Sequence, residues 1–365
     1  YTLRLTVQNN LGEIYRDSTI IYLGCMDLYD IAGMGNPTQA GISQTNVILC
    51  PGNYVTSGII TNLDNVKFDC NNAAIISSSY QLGYGIYAPY TSSYSSGVDN
   101  IIIKNCIIKN FYYGVALFNS TNDTVENNVF INNTRGLAFG SSIIPSLNNV
   151  AKSNTFLNNQ IGLLIPAPYS GNNNQFIHNN FISNVIQAQF TTSSNIWSNP
   201  QIGGNHWSNY GGADNNLDSF GDTPYTISTN NIDNLPLIHP KFLSVDGTTT
   251  FGNSFKLRLN DPLDSGKEYI ILMAFSNTPP IQLPDGRRIY LQADPLFFFS
   301  IGYANTPGFQ NSWGNLNSNG QAIATVVVPN NPALAVLNVY FAALIFDPTA
   351  PSGVRRISHT IKVTI

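Results

Sequence analysis

The chain has 365 residues, of which 16 are Lys or Arg and 20 are Asp or Glu, so charged side chains make up only 10% of it and the net charge is −4. The hydrophobic share of 43% is ordinary, which excludes the weakly hydrophobic, highly charged composition of disordered chains. Scattered basic residues and a pI near 5.5 argue against a nucleic-acid partner. The longest apolar run, around Val336 to Phe346, is interrupted by Asn338 and is too short for a membrane span.

The N-terminal segment 1–23 has the pattern of a β-hairpin. Leu3, Leu5 and Val7 alternate with polar residues, and a turn-forming Asn-Asn-Leu-Gly follows at 9–12. The segment resembles the last two strands of a PKD-type immunoglobulin-like domain, which implies that the rest of that domain lies upstream of Tyr1. The alternative is that the hairpin pairs with another part of the chain or with another subunit.

All four cysteines lie in the first third of the chain, at Cys25, Cys50, Cys70 and Cys106. Their even number suits two disulfides, and they lack the tight C-x-x-C spacing of a metal site. The sequence alone allows three connectivities. We therefore predict an oxidising, extracellular or cell-surface location, with buried free thiols in a cytosolic protein as the alternative.

The middle of the chain repeats. Segments of the form apolar-x-x-Asn-x-aromatic are anchored at Asn128, Asn154, Asn179 and Asn205, and Cys106 with Ile108 occupies the same positions one turn earlier. The anchors are 22 to 26 residues apart. A period of about 25 residues built from short strands predicts a parallel β-helix. In that fold Asn128, Asn154, Asn179 and Asn205 stack as an amide ladder.

Two further columns follow from the same alignment. Phe130, Phe156, Phe181 and Trp207 form an inward aromatic stack. Lys104, Glu126 and Lys152 form an outward column of alternating charge.

The repeats resemble the NosD-like family of parallel β-helix repeat proteins over about 46–240. The resemblance rests on the opening turns at 49–54, 66–72 and 103–106 and on the closing motifs at 204–210 and 219–225. It implies a right-handed parallel β-helix and the pairings Cys25–Cys50 and Cys70–Cys106. It also raises copper binding, but His178 and His206 fall in different columns and are expected to pack or cap.

From Lys241 onward asparagine becomes rarer and the predicted strands lengthen. They are expected at 254–259, 268–275, 289–301, 322–328, 335–346 and 354–365. This spacing predicts an antiparallel β-sandwich. The chain is thus an all-β protein with a hairpin at 1–23, a β-helix with its caps at 24–240 and a sandwich at 241–365.

One loop carries the oxygen spacing of a cation site. Asp214, Asn216, Asp218 and Asp222 occupy positions 1, 3, 5 and 9, which predicts a Ca²⁺ site, although the Glu usual at position 12 is replaced by Tyr225. The alternative is a capping loop in which these side chains bond neighbouring backbone amides. We expect no other cofactor.

Catalytic patterns are sparse. Asp123 and Glu126 offer a carboxylate pair for glycoside hydrolysis, but their spacing is more typical of solvent-facing groups. A lyase would need a basic residue beside a carboxylate-bound Ca²⁺, and no acidic cluster accompanies the nearby Lys109, Tyr112, Tyr113 and Arg135.

Two surface features remain. A Tyr-rich insertion offers Tyr80, Tyr84, Tyr87, Tyr90 and Tyr94 as a sugar-binding surface, with simple packing across the coil as the alternative. The sequons at Asn119, Asn122 and Asn132 predict surface glycosylation.

Taken together, the sequence predicts a non-catalytic extracellular protein, namely a cell-surface, sheath or filament subunit or an adhesin. It would associate head-to-tail with itself or with other surface proteins. The alternative is a secreted protein that binds or degrades polysaccharide.

Overall fold

The computed structural model describes residues 2–8, 14–20, 25–28, 40–42, 45–89, 97–140, 146–166, 171–190 and 194–365, and in 2–8, 14–20 and 40–42 only the backbone. The N-terminal hairpin strands, Thr2–Gln8 and Ile14–Ile20, pair antiparallel with Thr2 opposite Ile20. The predicted turn at 9–12 lies outside the described residues.

The described strands between Ala40 and Trp207 form a parallel β-helix of about 6 turns, as predicted. Each complete turn contributes one short strand to each of three parallel sheets. The first sheet contains Asn46–Ile48, Lys67–Asp69, Ile102–Lys104, Thr124–Glu126, Val150–Lys152 and Gln175–Ile177. The second contains Asn53–Thr56, Ala74–Ser77, Ile107–Lys109, Val129–Ile131, Thr155–Leu157, Asn180–Ile182 and His206–Trp207. The third contains Ala40–Ile42, Ile59–Thr61, Tyr84–Ala88, Tyr113–Leu117, Arg135–Phe139, Ile161–Leu164 and Ile186–Gln189.

Asparagine forms many of the corners between these strands. Asn105, Asn127 and Asn132 have φ values of 56°, 56° and 53°, in the left-handed region that asparagine tolerates better than other non-glycine residues. His178, with φ 58°, occupies the corner that Asn127 occupies two turns earlier. Corner geometry therefore accounts for part of the abundance of asparagine in the repeats.

One continuous apolar core runs along the interior of the β-helix. Phe130, Phe156, Phe181 and Trp207 stack with ring centroids 5.0, 4.9 and 4.3 Å apart, and Tyr225 extends the stack at 4.3 Å from Trp207. Glycine keeps the third sheet close to this stack: a Cβ on Gly136 would lie 2.9 Å from Cδ1 of Phe156, and 2.6 Å from the carbonyl oxygen of Gly162 on the next strand.

Outside the core, the predicted charge column continues one turn earlier than expected. Lys104 pairs with Asp69 at 3.2 Å, and Lys152 pairs with Glu126 at 3.0 Å. Because these groups are partly exposed, each pair contributes only about 0–1 kcal/mol, and their main effect is on strand register.

Two disulfides clamp the first turns. The bonds are Cys25–Cys50 and Cys70–Cys106, which are the pairings that the resemblance implied. Cys70 and Cys106 also lie in adjacent turns of one column, since the N–H of Cys70 donates to the Lys104 carbonyl beside Cys106. The covalent bond therefore runs along the solenoid axis.

The last turn is closed by a small antiparallel hairpin, Tyr225–Ser228 and Asn231–Asp233. The N–H of Leu237 bonds the Asn205 carbonyl at 2.8 Å, and the N–H of Gly204 bonds the Leu235 carbonyl at 2.8 Å. The closing segment thus covers backbone groups of the terminal turn, which would otherwise form an open sheet edge.

The C-terminal region contains two main antiparallel sheets. One consists of Leu243–Gly247, Ser254–Asn260, Gln321–Val327 and Phe309–Gln310. The other consists of Trp313–Asn315, Glu268–Ala274, Asn338–Phe346, Val354–Ile357 and Ile361–Thr364, and a short ladder joins Ile281–Gln282 to Arg288–Ile289. A buried cluster including Phe255, Ile271 and Phe341 lies between the sheets, as expected for a sandwich.

The predicted strand over 354–365 is divided into Val354–Ile357 and Ile361–Thr364, and one predicted strand is wrong. Instead of a strand over 289–301, the chain forms the short strand Arg288–Ile289 and then the helix Pro295–Gly302. The Asp294 carboxylate caps this helix by accepting from the N–H groups of Leu296 and Phe297, both at 2.9 Å, and Pro295 suits its first turn. Phe297 packs on the outer face of the second sheet. Three 3₁₀ turns complete the region, at Pro262–Asp264, Pro332–Leu334 and Pro351–Gly353.

Candidate functional site

The asparagine column anchored at Asn128 forms a hydrogen-bonded ladder inside the β-helix. From Asn154 onward, each Oδ1 accepts from both the backbone N–H and the Nδ2 of the asparagine one turn earlier; Asn154 Oδ1, for example, accepts from Asn128 at 2.9 and 3.1 Å. Each Nδ2 also donates to a backbone carbonyl, as Asn154 does to Val125 at 2.8 Å. All four members are buried, so these amides satisfy backbone groups that water does not reach.

The two ends of this ladder differ chemically. At the first end the N–H of Cys106 donates to Asn128 Oδ1 at 2.9 Å. At the last end the carboxylate of Asp233 accepts from the N–H of Asn205 at 2.7 Å and from the indole N–H of Trp207 at 2.9 Å. Burial raises the pKa of Asp233 to about 6. Asp233 was not identified from the sequence, although it follows Asn205 by 28 residues, which is close to the repeat period.

Two further ladders were missed at the sequence level. One runs through Asn133, Asn159 and Asn184, with side-chain bonds of 3.1 and 2.9 Å between them. The other runs through Asp123, Asn149, Asn174 and Asn195. Their members are 21 to 26 residues apart, so the period that revealed the first ladder was available for these as well.

The two carboxylates considered for hydrolysis serve these structural features. Asp123 is fully buried and accepts from the N–H of Ile101 at 2.8 Å and from the hydroxyl of Ser120. Burial raises the pKa of Asp123 to about 7. Glu126 lies on the outer face, in its ion pair with Lys152. The two side chains therefore lie on opposite sides of the solenoid wall.

The loop at Asp214 does not support the predicted Ca²⁺ site. Asp214 accepts from the N–H groups of Leu217 and Ser219 at 2.7 and 3.0 Å, and Asp222 accepts from the N–H of Asn215 at 2.6 Å. Asp218 accepts from the N–H of Phe220 at 2.8 Å and from the amide of Asn216 at 3.0 Å. This is the capping loop that the sequence offered as the alternative, because oxygens held by the loop's own donors are not gathered around a cation.

Part of the predicted tyrosine surface forms a shelf on the third sheet. Tyr84 stacks on Tyr87 and Tyr113 with centroids 4.4 and 5.2 Å apart. The guanidinium of Arg135 lies 4.5 and 4.9 Å from the ring centroids of Tyr112 and Tyr113. The Nε and Nη1 atoms of Arg135 are buried and have no hydrogen-bond partner among the residues that the structure describes. Tyr80 is 68% exposed, whereas Tyr90 and Tyr94 lie outside the described residues.

The three sequons differ in accessibility. Asn122 and Asn132 are exposed, but Asn119 is only 5% exposed. The folded chain thus presents Asn122 and Asn132 for modification, whereas the glycosylation predicted at Asn119 does not agree with its burial.

All four histidines of the chain lie at the junction between the β-helix and the sandwich. The N–H of Lys241 donates to Asn180 Oδ1 at 2.8 Å and the N–H of His359 to the Pro240 carbonyl at 2.8 Å. His239 Nε2 bonds the Arg288 carbonyl at 2.7 Å. Burial lowers the pKa of His178 and His239 to about 4 and of His206 to about 3, so these rings are neutral at pH 7.

These observations define an extracytoplasmic protein built on a disulfide-clamped parallel β-helix. Residues 26–212, about half of the chain, match the family model described as periplasmic copper-binding protein (NosD), and the chain belongs to this family. No curated protein matches the chain. In the described part of the chain, no helix is long and apolar enough to cross a membrane.

The side chains do not fit the metal in the family's description. All four cysteines are consumed in disulfides. His178 bonds the Ile202 carbonyl through Nε2 and Lys241 through Nδ1, both at 2.8 Å. Across the described ranges, no group of three or more His, Cys, Asp or Glu side chains is arranged to hold a metal ion. Copper prefers converging His, Cys or Met ligands, and this arrangement is not found at the junction.

Proposed function

We propose that this protein is a non-catalytic, extracytoplasmic structural subunit of a cell-surface, sheath or filament assembly, and that copies of it associate through the C-terminal domain. The observation that carries the proposal is that the buried polar side chains hydrogen-bond one turn of the β-helix to the next. Asparagine ladders line the solenoid interior, and the candidate acid Asp123 is a ladder member. A rod held by continuous ladders and clamped by disulfides resists bending and local unfolding, which suits a load-transmitting role.

An apolar surface on the C-terminal domain supports self-association. On the helix Pro295–Gly302 and just beyond it, Phe298, Phe299 and Tyr303 are 60%, 43% and 55% exposed. From Pro295 to Phe346 the sequence contains no Asp, Glu, Lys, Arg or His. Exposed aromatic side chains on an uncharged segment gain from burial against another apolar surface without desolvating a charge, so this surface suits contact with a second copy of this chain.

The test is the assembly state of the purified chain, by electron microscopy and light scattering, with a polysaccharide-degradation assay on the same sample. We expect ordered assemblies without degradation. Phe298→Ser with Phe299→Ser should reduce assembly at least tenfold, while Val185→Ser, at an 81% exposed apolar position on the β-helix, should leave it unchanged. A monomer that degrades polysaccharide would refute the proposal.

The aromatic shelf favours a second candidate function, which is glycan binding without cleavage. Tyr84 and Tyr113 offer stacked rings, and Arg135 offers a guanidinium beside them. Tyrosine hydroxyls and ring edges contact sugar hydroxyls, and acidic sugars pair with arginine. Glycan-array binding that Tyr113→Ala removes and that Tyr303→Ala retains would support this candidate. Equal loss in both variants would count against it.

A further inference from the structure

A polar cleft lies where the closing cap of the β-helix meets the sandwich. Its volume is about 440 Å³. The β-helix and its cap contribute His178, Ile202 and Phe220, and the sandwich side contributes Lys241, His359 and Lys362. Boundaries between domains are common places for ligand sites, and none of these residues serves the ladders or the proposed self-association surface.

Lys241 is the central charge of this cleft. Its ammonium donates to His178 Nδ1 at 2.8 Å. His178 Nε2 lies 2.8 Å from the Ile202 carbonyl, which fixes the proton on Nε2 and leaves Nδ1 as an acceptor. Among the described residues no carboxylate lies within ion-pair distance of this ammonium. Burial lowers the pKa of Lys241 to about 8.

A neighbouring cavity of about 380 Å³ gives an internal comparison. It is lined by Arg287, Arg355 and Arg356, and each guanidinium has a carboxylate partner: Asp285 at 2.6 Å, Asp264, and Asp261 at 3.0 Å, respectively. The fold therefore pairs the cations on that side with its own acids. Within the described part of the chain, the Lys241 ammonium has a neutral imidazole as its side-chain partner and no carboxylate to compensate its charge.

Two other groups point to the same ligand chemistry. His359 is 6% exposed, and no described residue forms a hydrogen bond with its Nδ1. Lys362 is exposed at the cleft and takes part in no ion pair within the described chain. Asp218 also lines the cleft, but both of its oxygens already accept hydrogen bonds, from the N–H of Phe220 and the amide of Asn216.

We propose that this cleft binds an oxyanion group, such as a carboxylate, sulfate or phosphate, between Lys241 and Lys362. The oxyanion supplies the negative charge that Lys241 lacks, and it accepts a hydrogen bond from His359 in its Nδ1–H tautomer. Charge-assisted hydrogen bonds of this kind are stronger than neutral ones. The carboxylate of Asp218 limits the net positive charge, so the site suits one compact anionic group rather than a polyanion.

The test is calorimetric titration of the full chain with sodium sulfate, phosphate, acetate and glucuronate at pH 6.5 and constant ionic strength set with sodium chloride. We expect saturable 1:1 binding of at least one of them. The strongest probe identifies the source: sulfate or phosphate indicates an inorganic or esterified anion, and glucuronate indicates a uronic acid. Absence of saturable binding to all four refutes the proposal.

Three lysine variants distinguish anion binding in the cleft from a general effect of positive surface charge. Lys241→Met should abolish binding, and Lys362→Met, at an exposed position that does not endanger folding, should weaken it about fivefold or more. Lys256→Met is the matched control, because Lys256 is exposed on the strand Ser254–Asn260 and lines neither cavity. Equal weakening by Lys362→Met and Lys256→Met would overturn the proposal.

A spectroscopic readout does not depend on the fold of Lys241→Met. In wild-type protein labelled with ¹⁵N on histidine, the binding probe should shift the Nδ1 resonance of His359 in proportion to occupancy. The Nδ1 resonance of His206, which bonds the Leu237 carbonyl, is the internal reference. An unchanged His359 resonance at saturating probe would refute the assigned contact.

Discussion

Replacing Asn154 with alanine tests the energetic role of the first ladder. The side chain of Asn154 is fully buried and makes four hydrogen bonds, two accepted from Asn128 and one donated to each of Val125 and Asn179. At about 0.5–1.5 kcal/mol net per hydrogen bond, their loss sums to about 2–6 kcal/mol. The buried partners cannot recover water, which favours the upper half of that range. We therefore expect Asn154→Ala to lower the free energy of unfolding by about 4–6 kcal/mol.

The measurement is urea denaturation followed by tryptophan fluorescence and circular dichroism. Asn215→Ala is the matched control, since Asn215 is exposed and should cost less than about 0.5 kcal/mol. Asn154→Asp separates hydrogen bonding from packing, because it keeps the side-chain volume. The aspartate places a carboxylate oxygen opposite the Val125 carbonyl, in the position from which the Asn154 amide donates a hydrogen bond. At pH 8 it should therefore be at least as unstable as Asn154→Ala.

Two results would refute this reasoning. If Asn154→Ala lost less than about 1 kcal/mol, the ladder would be incidental to a fold held by its apolar core. If Asn154→Asp were as stable as wild type at pH 8, acceptor-only side chains would be tolerated inside the column. The structure has carboxylates only where a ladder begins or ends, at Asp123 and Asp233, which agrees with the expected intolerance.

Three further predictions concern other parts of the fold. Gly136→Ala should lower the free energy of unfolding by about 1–3 kcal/mol in urea melts, because its Cβ would lie 2.6 Å from the Gly162 carbonyl oxygen; Gly302→Ala, with open space around its Cβ, should have no such effect. Replacing both Cys70 and Cys106 with alanine should cost about 4 kcal/mol by the chain-entropy estimate for a loop of this length, and reducing agent should then have a smaller effect on the melting temperature than in wild type. Burial and the charge of Lys241 lower the pKa of His178 to about 4, so the unfolded chain takes up the proton first and stability should fall as the pH falls from about 6.5 to about 4. His178→Asn should reduce the slope of unfolding free energy against pH by up to about 1 kcal/mol per pH unit. The buried acids act in the opposite direction, but they are the same in wild type and variant, so their effect cancels when the two slopes are compared. Identical slopes in the two proteins would contradict the assignment.

The β-helix could be predicted because its signal is periodic. A strand that pairs in register with the strand one turn earlier must place equivalent residues about one period apart, so Asn128 and Phe130 identify their own columns. The ladders through Asn133 and Asn149 carried the same period but were missed. Asparagine is also frequent at the left-handed corners, as at Asn127 and Asn132, and this second use obscures which asparagines lie inside.

Two predictions failed where one sequence pattern fits two structures and local hydrogen bonds decide between them. The apolar run after Leu291 fits a strand as well as a helix, and the N-cap at Asp294 decides the outcome. Likewise, oxygen spacing in the Asp214 loop suggested a cation, but the same oxygens can be satisfied by backbone N–H groups three to five residues away. The spacing of the oxygens alone does not distinguish a cation site from a capping loop, because in both the side-chain oxygens point towards the loop's own backbone.

The junction cleft was beyond sequence reasoning because its residues converge only when the two domains dock. Asn180 holds the backbone of Lys241 at both its N–H and its carbonyl, at 2.8 and 3.0 Å, and this clamp sets the position of the ammonium beside His178. Because the site exists only in the docked state, an oxyanion bound there must favour docking by mass action. At a concentration of 100 times Kd, the stabilisation would be about 2.7 kcal/mol. The concentration of the oxyanion outside the cell would therefore determine how strongly the sandwich docks on the β-helix.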